Sequence, residues 1–199
     1  MFSGIVQAVG IIEKVDPLEA GVRLTINAGR LDLNDSKVGD SIAVNGACMT
    51  VTSIAGGRFM VDVSRESLDV TAGLGAAGSV NLEKSMALGD RIDGHLVTGH
   101  VDGIGEVTAF EQLGESWRLE VRAPKELARF IARKGSITVD GVSLTANRVE
   151  DGAAGTVFEV NLIPHTLGVT TLSRLGAGAR VNLEIDLVAR YVQRLLAAP

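Results

Sequence analysis

The sequence predicts an all-β protein made of two tandem copies of one folding unit, followed by a single C-terminal helix. Similar blocks recur about 95 to 101 residues apart, which indicates an internal duplication. Each copy holds about six short segments separated by turn residues, as in a β-barrel or a sandwich. The last segment has apolar residues at helical spacing and no counterpart after the first copy.

The duplication is clearest in the block SIAVNGACMTV at residues 41–51, which returns as SITVDGVSLTA at residues 136–146. The block VNLE at residues 80–83 returns at residues 181–184. Chance similarity between Val- and Gly-rich strands would not preserve the polar positions that match in these blocks. The spacing drifts because the second copy carries small Gly/Ala-rich insertions, which surface loops tolerate.

Alternating apolar residues predict the strands of the first copy, and glycine-containing dipeptides predict its turns. Asn45-Gly46 is typical of a hairpin because both residues tolerate positive φ, and Gly56-Gly57 predicts a second hairpin. Gly10 is expected to break the first strand, and a short helical turn is expected at residues 31–35. The predicted strands span residues 5–14, 22–27, 41–44, 48–54, 58–63 and 78–83.

The second copy repeats this pattern from His100 onward. A strand is predicted at residues 117–122, and a short helix at 124–131 has proline in its first turn. Asp140-Gly141 takes the place of the first hairpin turn, and Asp151-Gly152 begins a longer hairpin loop. We expect a first domain at residues 1–93, including a linker at 84–93, a second domain at 94–185 and an oligomerisation helix at 186–199.

The final helix carries an apolar stripe, and Asp186 can cap its start. The stripe consists of Leu187, Val188, Tyr191, Val192 and Leu195. It could pack on its own barrel or on the equivalent helices of other subunits. The second arrangement is favoured, because two closed barrels leave no obvious place for a lone apolar helix.

Composition excludes several classes of protein. The 199 residues carry a net charge of −5 and few aromatic side chains, which argues against binding of nucleic acid. The single cysteine excludes an internal disulfide, and a cytoplasmic location fits it best. No secretory signal and no apolar run of membrane-spanning length is expected.

The matched hairpins suggest where a ligand binds. Each copy places a turn and a Cys/Ser-x-Thr strand start at one location, which suits a flat heteroaromatic ligand with alternating donors and acceptors. The alternative is that Asn45-Gly46 and Asp140-Gly141 simply make hairpins. Cys48, a small apolar residue in many strands, is matched by the polar Ser143, which favours a solvated site.

The histidines leave alternatives open. His95 and His100 have a spacing that resembles metal ligands, but a strand would place them on opposite faces. No second Cys/His pair accompanies them, so no zinc site is predicted. His165 matches Glu66 of the first copy, and it could be either an exposed loop residue or part of a site.

The chain resembles the riboflavin synthase family over essentially its whole length. The resemblance lies in MFSGIVQ, SIAVNGACMTV, GHLVTGHVDG, KGSITVDGVSLT, NLIPHT and VNLEID. Ser3, where threonine is usual, and Asp93, where glycine is common, depart from the family pattern. The resemblance implies two similar six-stranded Greek-key β-barrels in tandem plus a C-terminal α-helix.

The resemblance also implies an activity and an assembly. Two molecules of 6,7-dimethyl-8-ribityllumazine would be dismutated to riboflavin and 5-amino-6-ribitylaminouracil by transfer of a four-carbon unit, with no cofactor or metal. The enzyme would be a homotrimer held by its C-terminal helices. Each active site would lie between the N-terminal barrel of one subunit and the C-terminal barrel of another. Lumazine synthase is a further possible partner.

Matching motifs carry the family's ligand contacts onto this chain. The first pocket would use Gly4, Ile5, Val6, Cys48, Met49, Thr50, Asp62, Val63, Ser64, Arg65, Glu66 and Ser67. The second pocket would use Gly99, His100, Val101, Lys134, Ser143, Leu144, Thr145, Asn161, Leu162, Ile163, Pro164, His165 and Thr166. Candidates for polar catalytic roles are Ser41, Cys48, His100, Thr145 and Asp186. We expect Cys48 to mark the N-terminal pocket and His100 the C-terminal one, with the two meeting across a subunit interface.

Two other functions remain open at this point. One is a non-catalytic lumazine or flavin carrier, which would share the fold but bind one ligand. The other is an oligosaccharide- or nucleotide-binding barrel without this chemistry. Retention of both pocket motifs and of Cys48 favours the enzyme.

Overall fold

The computed structural model describes residues 1–197, which form two antiparallel β-barrels in tandem and a C-terminal helix. The strands of the first barrel are β1 (Ala8–Leu18), β2 (Gly21–Asn27), β3 (Ser41–Val44), β4 (Ala47–Ala55), β5 (Arg58–Ser64) and β6 (Gly78–Lys84). This barrel is closed, with strand order β1-β2-β5-β4-β3-β6. A short helix, α1 (Arg65–Val70), lies between its fifth and sixth strands.

The second barrel has seven strands because the counterpart of β4 is divided in two. The strands are β7 (Gly103–Leu113), β8 (Ser116–Ala123), β9 (Ser136–Val139), β10 (Val142–Thr145), β11 (Arg148–Gly152), β12 (Gly155–Leu162) and β13 (Arg180–Ile185). Their order is β10-β9-β13-β7-β8-β12-β11. The two end strands of this order, β10 and β11, are consecutive in the chain and are separated only by residues 146–147. The predicted tandem-barrel fold is confirmed.

Helical segments connect the strands of the second barrel. A 3₁₀ helix at Lys125–Phe130 follows β8, and α2 (Pro164–Val169) follows β12. A second 3₁₀ helix at Thr171–Arg174 leads towards β13. The C-terminal helix α3 spans Leu187–Leu196, and the Asp186 carboxylate caps it by accepting a hydrogen bond from the Val188 N–H. Residues 198–199 of the predicted helix lie outside the described residues.

Each barrel has its own apolar core, formed by the inward-facing side chains of its strands. Phe59 and Phe158, which the repeat matches, are both fully buried at the centres of the two cores. The apolar residues of the alternating pattern that predicted the strands are therefore the ones buried inside the two separate barrels. No helix in residues 1–197 is long and apolar enough to cross a bilayer.

Three local expectations for the first copy differ from the structure. Strand β1 starts at Ala8, later than expected, and continues through Gly10 instead of breaking there. Gly10 is required by packing, because a Cβ at this position would lie 2.5 Å from the Leu82 side chain. The predicted helical turn at 31–35 is a single turn at Asn34-Asp35.

The other two differences are in the second barrel. The helix predicted at 124–131 is a 3₁₀ helix, and its proline precedes the first helical residue. Asp151 and Gly152 end β11, and the hairpin turn is formed by Ala153 and Ala154. A helix is therefore present where one was predicted, but it is of the tighter 3₁₀ type, and the hairpin turn lies two residues later than expected.

The Asn-Gly and Asp-Gly hairpins are confirmed, and they also join the two barrels. Asn45 and Gly46 have φ values of 46° and 83°, and Asp140 and Gly141 have φ values of 47° and 78°. The two turns contact each other back to back, since a Cβ on Gly46 would lie 2.8 Å from the Gly141 nitrogen. Glycine is needed there both for the backbone conformation and for the contact.

Two buried asparagines from the repeated VNLE block link the barrels around these turns. The Asn81 side chain donates to the Asp140 carbonyl at 2.9 Å, and the Asn182 side chain donates to the Asn45 carbonyl at 2.9 Å. In return, the side-chain oxygens of Asn45 and Asp140 accept the Asn81 and Asn182 N–H groups. Burial raises the pKa of Asp140 to about 7, although the hydrogen bond from Asn182 acts in the opposite direction.

The segments that precede the two barrels are exchanged between them. The Ser143 N–H of the second barrel donates to the Gly4 carbonyl at 2.7 Å, and Val6 packs against the second core. In the same way, the Cys48 N–H of the first barrel donates to the Gly99 carbonyl at 2.8 Å, and Val101 packs against the first core. Each barrel therefore receives the entry segment of the other copy.

Candidate functional site

A cavity of about 350 Å³ opens on the first barrel, and we call it the first site. Three elements line it: the start of β4, helix α1 and the segment at residues 99–101. The lining residues are Ala47, Cys48, Met49, Glu66, Ser67, Val70, Thr71, Gly99, His100 and Val101. A thiol, an imidazole, a carboxylate and two hydroxyls thus surround one cavity within a single chain.

Side-chain hydrogen bonds fix both ends of helix α1, which places its polar residues at the first site. The Ser64 hydroxyl accepts the Ser67 N–H at 3.1 Å at the start of the helix. The Thr71 hydroxyl donates to the Ser67 carbonyl at 2.6 Å at its end. A side-chain cap of this kind supplies a partner for an N–H group that the helix leaves free.

A buried glutamate holds the segment that carries His100. The Glu184 carboxylate accepts the Thr98 N–H at 2.7 Å, the Thr98 hydroxyl at 2.6 Å and the Gly99 N–H at 2.9 Å. Gly99 has a φ of 79°, and a Cβ there would lie 2.6 Å from the Cys48 Cβ. The segment is thus pressed directly against the strand that carries Cys48, which places His100 at the cavity.

Helix α3 provides a second tether for this segment. The Asp102 carboxylate accepts the Ile185 N–H at 2.9 Å and binds the Arg190 guanidinium at 2.7 Å. Arg190 belongs to α3, so the C-terminal helix contacts the segment two residues beyond His100. In the first copy, Gln7 accepts the Lys84 N–H at the matching place and no such helix follows.

The exchange of segments overturns the expected composition of the pockets. Cys48 and His100 were expected in different pockets that meet across a subunit interface, but they line the same cavity of one chain. Likewise, the segment at residues 4–6 pairs with Ser143 and not with Cys48. The matched copies have nearly equal local sequences, so the repeat could not show which barrel receives which segment.

We call the equivalent region of the second barrel, around Ser143 and residues 3–6, the second site. Glu83 holds its segment as Glu184 holds the other, accepting the Ser3 N–H and hydroxyl at 2.7 Å each and the Gly4 N–H at 3.0 Å. Ser3 departs from the family's threonine, yet it keeps the hydroxyl that this carboxylate binds. Gly4 repeats the tight contact, because a Cβ there would lie 2.6 Å from the Ser143 Cβ.

His95 belongs to the second site, and sequence reasoning missed it. Its Nδ1 lies 2.7 Å from the Ser143 hydroxyl oxygen, while its Nε2 is buried and has no hydrogen-bond partner among the described residues. Burial lowers the pKa of His95 below its usual range, and the Asp186 carboxylate acts in the opposite direction. The sequence suggested His95 only as a metal ligand, and no pattern in it indicated the contact with Ser143.

The remaining catalytic candidates do not line the first cavity. Ser41 lies opposite Thr50 on β3 and β4, and Thr145 lies opposite Ser136 on β10 and β9. Asp186 caps α3 on the second barrel. Within one chain, the five candidates therefore divide between the two barrels.

Lys134 has an unusual backbone. Its φ is 68°, and the first copy has Gly39 at the matching position with a φ of 94°. A lysine in the left-handed region costs conformational energy that glycine avoids, and such strain is common at functional sites. The ammonium group donates to the Asn147 side chain at 2.8 Å, so its position is defined.

Three of the expected contact residues have side chains that are buried in a barrel core or paired on the barrel surface. Val63 and Leu162 point into the barrel cores and are 2% and 0% exposed. Asp62 is occupied by Arg23 at 2.7 Å on the outside of the barrel. The remaining members of the two predicted stretches, which follow β5 and β12, lie at or near the surface. In residues 1–197 no group of three His, Cys, Asp or Glu side chains has a metal-binding arrangement.

Comparison with known proteins identifies what this arrangement resembles. The family described as lumazine binding domain matches residues 3–85 and again residues 98–186. The chain is 44% identical to riboflavin synthase of Mycobacterium tuberculosis strain H37Rv, over 98% of each protein. It is 41% identical to riboflavin synthase of Photobacterium phosphoreum over 98% of this chain and 89% of that protein. It is 39% identical to riboflavin synthase of Bacillus subtilis over 98% of this chain and 90% of that protein.

Solved structures show the same fold. The crystal structure of LumP complexed with riboflavin has a TM-score of 0.83 and 27% identity, covering 93% of this chain and 99% of that one. The complex of LumP with 6,7-dimethyl-8-(1'-D-ribityl) lumazine has a TM-score of 0.81 and 26% identity over the same shares of the two chains.

Proposed function

This chain belongs to the riboflavin synthase family of lumazine-binding proteins, and on that basis we propose that it makes riboflavin. Two molecules of 6,7-dimethyl-8-ribityllumazine react, and one donates a four-carbon unit to the other. The products are riboflavin and 5-amino-6-ribitylaminouracil. The observation that carries the proposal is the identity of about 40% to riboflavin synthases over nearly the whole chain.

The geometry supports the same reaction. Two identical substrates need two similar sites, and the duplicated barrels provide one each. The reaction requires removal of a proton from the C7 methyl group of one lumazine and addition at C7 of the other. In the first site, Cys48 and His100 supply a thiol and an imidazole that can move protons. The second site has Ser143 and His95 instead, so the two rings meet different side chains.

The carrier hypothesis fits less well. The LumP structures are 26–27% identical to this chain, while the riboflavin synthases named above are 39–44% identical. Both share the fold, so fold alone does not decide between them. The presence of a thiol and an imidazole in one cavity is what an enzyme needs and a carrier does not.

A reaction assay separates the two functions. The purified protein, incubated with 6,7-dimethyl-8-ribityllumazine and no other reagent, should form one riboflavin for every two lumazines consumed. Riboflavin fluorescence and chromatography of the pyrimidine product measure this ratio. Calorimetric titration with a non-reactive ribityllumazine analogue should show two sites per chain. Tight binding at one site without any riboflavin would identify a carrier.

A homotrimer held by α3 is part of the proposal. In the single chain the apolar stripe of this helix faces solvent, with Tyr191 63%, Leu195 76% and Leu196 77% exposed. Burying such side chains against other subunits would contribute roughly 1.5–3 kcal/mol each. Because Arg190 of the same helix binds Asp102, assembly would also steady the segment that carries His100.

The double variant Tyr191→Glu/Leu195→Glu should therefore sediment as a monomer with both barrels folded, because carboxylates in an apolar interface are costly. Its riboflavin formation should fall by at least about ten-fold if sites are shared between subunits. Arg194→Glu, which adds a carboxylate to the same helix at an exposed polar position, serves as the control and should stay trimeric. A double variant that still sediments as a trimer would contradict the role of α3.

Two further expectations accompany the proposal. A cytoplasmic location fits a chain whose single cysteine is free. A complex with lumazine synthase is expected from the family resemblance, and co-sedimentation of the two proteins tests it.

A further inference from the structure

His95 is placed between the two elements that form the second site. Its backbone N–H donates to the Ser3 carbonyl at 3.0 Å, and its ring reaches the Ser143 hydroxyl. The residue before it must be glycine, since a Cβ on Gly94 would lie 2.1 Å from the Ser3 oxygen and 2.9 Å from the Ser143 Cβ. The chain is therefore fitted closely at this point, and the ring position is not the result of a loose surface loop.

Ser143 is the residue through which His95 can influence a ligand. It is the counterpart of Cys48, which lines the cavity of the first site. Its backbone is held by the hydrogen bond to Gly4, so only the direction of its hydroxyl proton remains to be decided. A hydroxyl can either donate or accept towards a ligand, and a fixed neighbour determines which of the two it does.

The orphaned ring nitrogen indicates which atom of His95 carries the proton. Burial lowers the pKa of His95, which favours the neutral form of the ring. Nε2 is buried and has no partner among the described residues. A buried N–H group without an acceptor is rarer in proteins than an acceptor with an unused lone pair. The proton is therefore assigned to Nδ1, which donates it to the Ser143 oxygen.

We propose that His95 is a positioning residue that keeps the Ser143 hydroxyl turned outward as a hydrogen-bond donor to the ring bound in the second site. With one lone pair of its oxygen occupied by His95, Ser143 directs its own proton away from the imidazole. In the first site, the counterpart of Ser143 is Cys48, whose thiol shares a cavity with His100. The identity of the bound ring as a lumazine or flavin rests on the proposed function.

Side chains that differ in the position of their donor test this assignment. Asparagine places an amide N–H close to the position of Nδ1, whereas glutamine places it close to Nε2. His95→Asn should therefore bind riboflavin and form it nearly as the wild type does. His95→Gln and His95→Leu should lower kcat and weaken riboflavin binding at the second site by about three- to ten-fold, the effect of one oriented hydrogen bond.

A double-variant cycle then asks whether His95 acts through Ser143. With Ser143→Ala in place, changing His95 to leucine should cost no further binding. Riboflavin fluorescence titration measures the dissociation constants, and thermal unfolding of each variant measures stability. Thr108→Val is the matched control, because it removes a hydroxyl hydrogen bond to Glu120 elsewhere on the second barrel. This variant should change neither kcat nor the dissociation constant of riboflavin at the second site.

Each outcome decides the question. Effects of His95→Leu and Ser143→Ala that multiply independently would overturn the proposal, as would an asparagine variant that binds no better than glutamine. If His95→Leu does not fold, the comparison of asparagine with glutamine carries the test. The wild-type protein could also bind riboflavin without ever producing it from the lumazine, while the variants still show coupling between His95 and Ser143. That result would refute the proposed function and leave the role of His95 intact.

Discussion

Glu184→Ala is expected to destabilise the protein and to release the segment that carries His100. The carboxylate is 2% exposed and accepts three hydrogen bonds from Thr98 and Gly99. Removing it leaves two N–H groups and one hydroxyl without their acceptor, at a cost of roughly 1–3 kcal/mol each. Burial raises the pKa of Glu184, although the hydrogen bonds from Thr98 and Gly99 oppose the rise. Removing the buried carboxylate therefore also removes an unfavourable desolvation free energy, which offsets part of the cost of the lost hydrogen bonds. We expect the free energy of unfolding to fall by about 3 kcal/mol.

The effect on activity should be larger than the effect on stability. His100 follows immediately after Gly99, so the loss of this anchor moves the imidazole relative to Cys48. Misplacement of a reacting group by about 1 Å can cost on the order of a hundred-fold in rate. Labelling of Cys48 by a thiol reagent should become faster at the same time, because the released segment covers this half-buried thiol. Thermal unfolding, riboflavin formation and the labelling rate measure the three effects.

Glu83→Ala is the matched control for this prediction. Glu83 makes the same three contacts to Ser3 and Gly4, but the segment that it holds lies against Ser143. We expect similar destabilisation and weaker binding at the second site, with the labelling rate of Cys48 unchanged. Equal acceleration of Cys48 labelling in both variants would show that the barrels loosen together, and the assignment of one glutamate to each site would then be wrong.

Asp140→Asn should stabilise the protein above pH 7 and leave its stability near pH 4 unchanged. The pKa of Asp140 is raised from 3.8 to about 7 in the folded chain. A carboxyl group with a raised folded-state pKa binds its proton more tightly in the folded state. It therefore contributes stability at acid pH, and this contribution is lost as the pH rises from about 4 to about 7. A pKa difference of this size between the folded and unfolded states corresponds to about 4 kcal/mol at most.

The amide should fit because the first copy already has one at this position. Asn45 uses its side-chain oxygen to accept the Asn81 N–H, as Asp140 accepts the Asn182 N–H. Denaturant unfolding at several pH values should show a flatter pH profile for Asp140→Asn than for the wild type. The reverse change, Asn45→Asp, should add a second decrease in stability towards neutral pH. An Asp140→Asn profile parallel to that of the wild type would show that this carboxyl is already ionised in the folded protein.

The sequence predicted well whatever depends on neighbouring residues. Backbone conformation at Asn45-Gly46 and Asp140-Gly141 is a local property of these dipeptides, and the structure has the expected positive φ values. Strand alternation reports which side chains face a core, so most strands were located to within a few residues. The break predicted at Gly10 is wrong because the sequence does not distinguish a glycine that permits close packing on Leu82 from a glycine that ends a strand.

The sequence by itself determined that this protein is a duplicated β-barrel of the riboflavin synthase family, because repeats, turns and motifs are written in consecutive residues. Only the tertiary structure decided which entry segment joins which barrel, and so brought Cys48 together with His100. It also placed His95 beside Ser143 within the second copy. The physical reason is that the two copies offer nearly the same local surface to either segment. The choice is made by contacts between residues about 50 or more positions apart, such as those of Gly99 with Cys48 and of Gly4 with Ser143, and no local pattern records them.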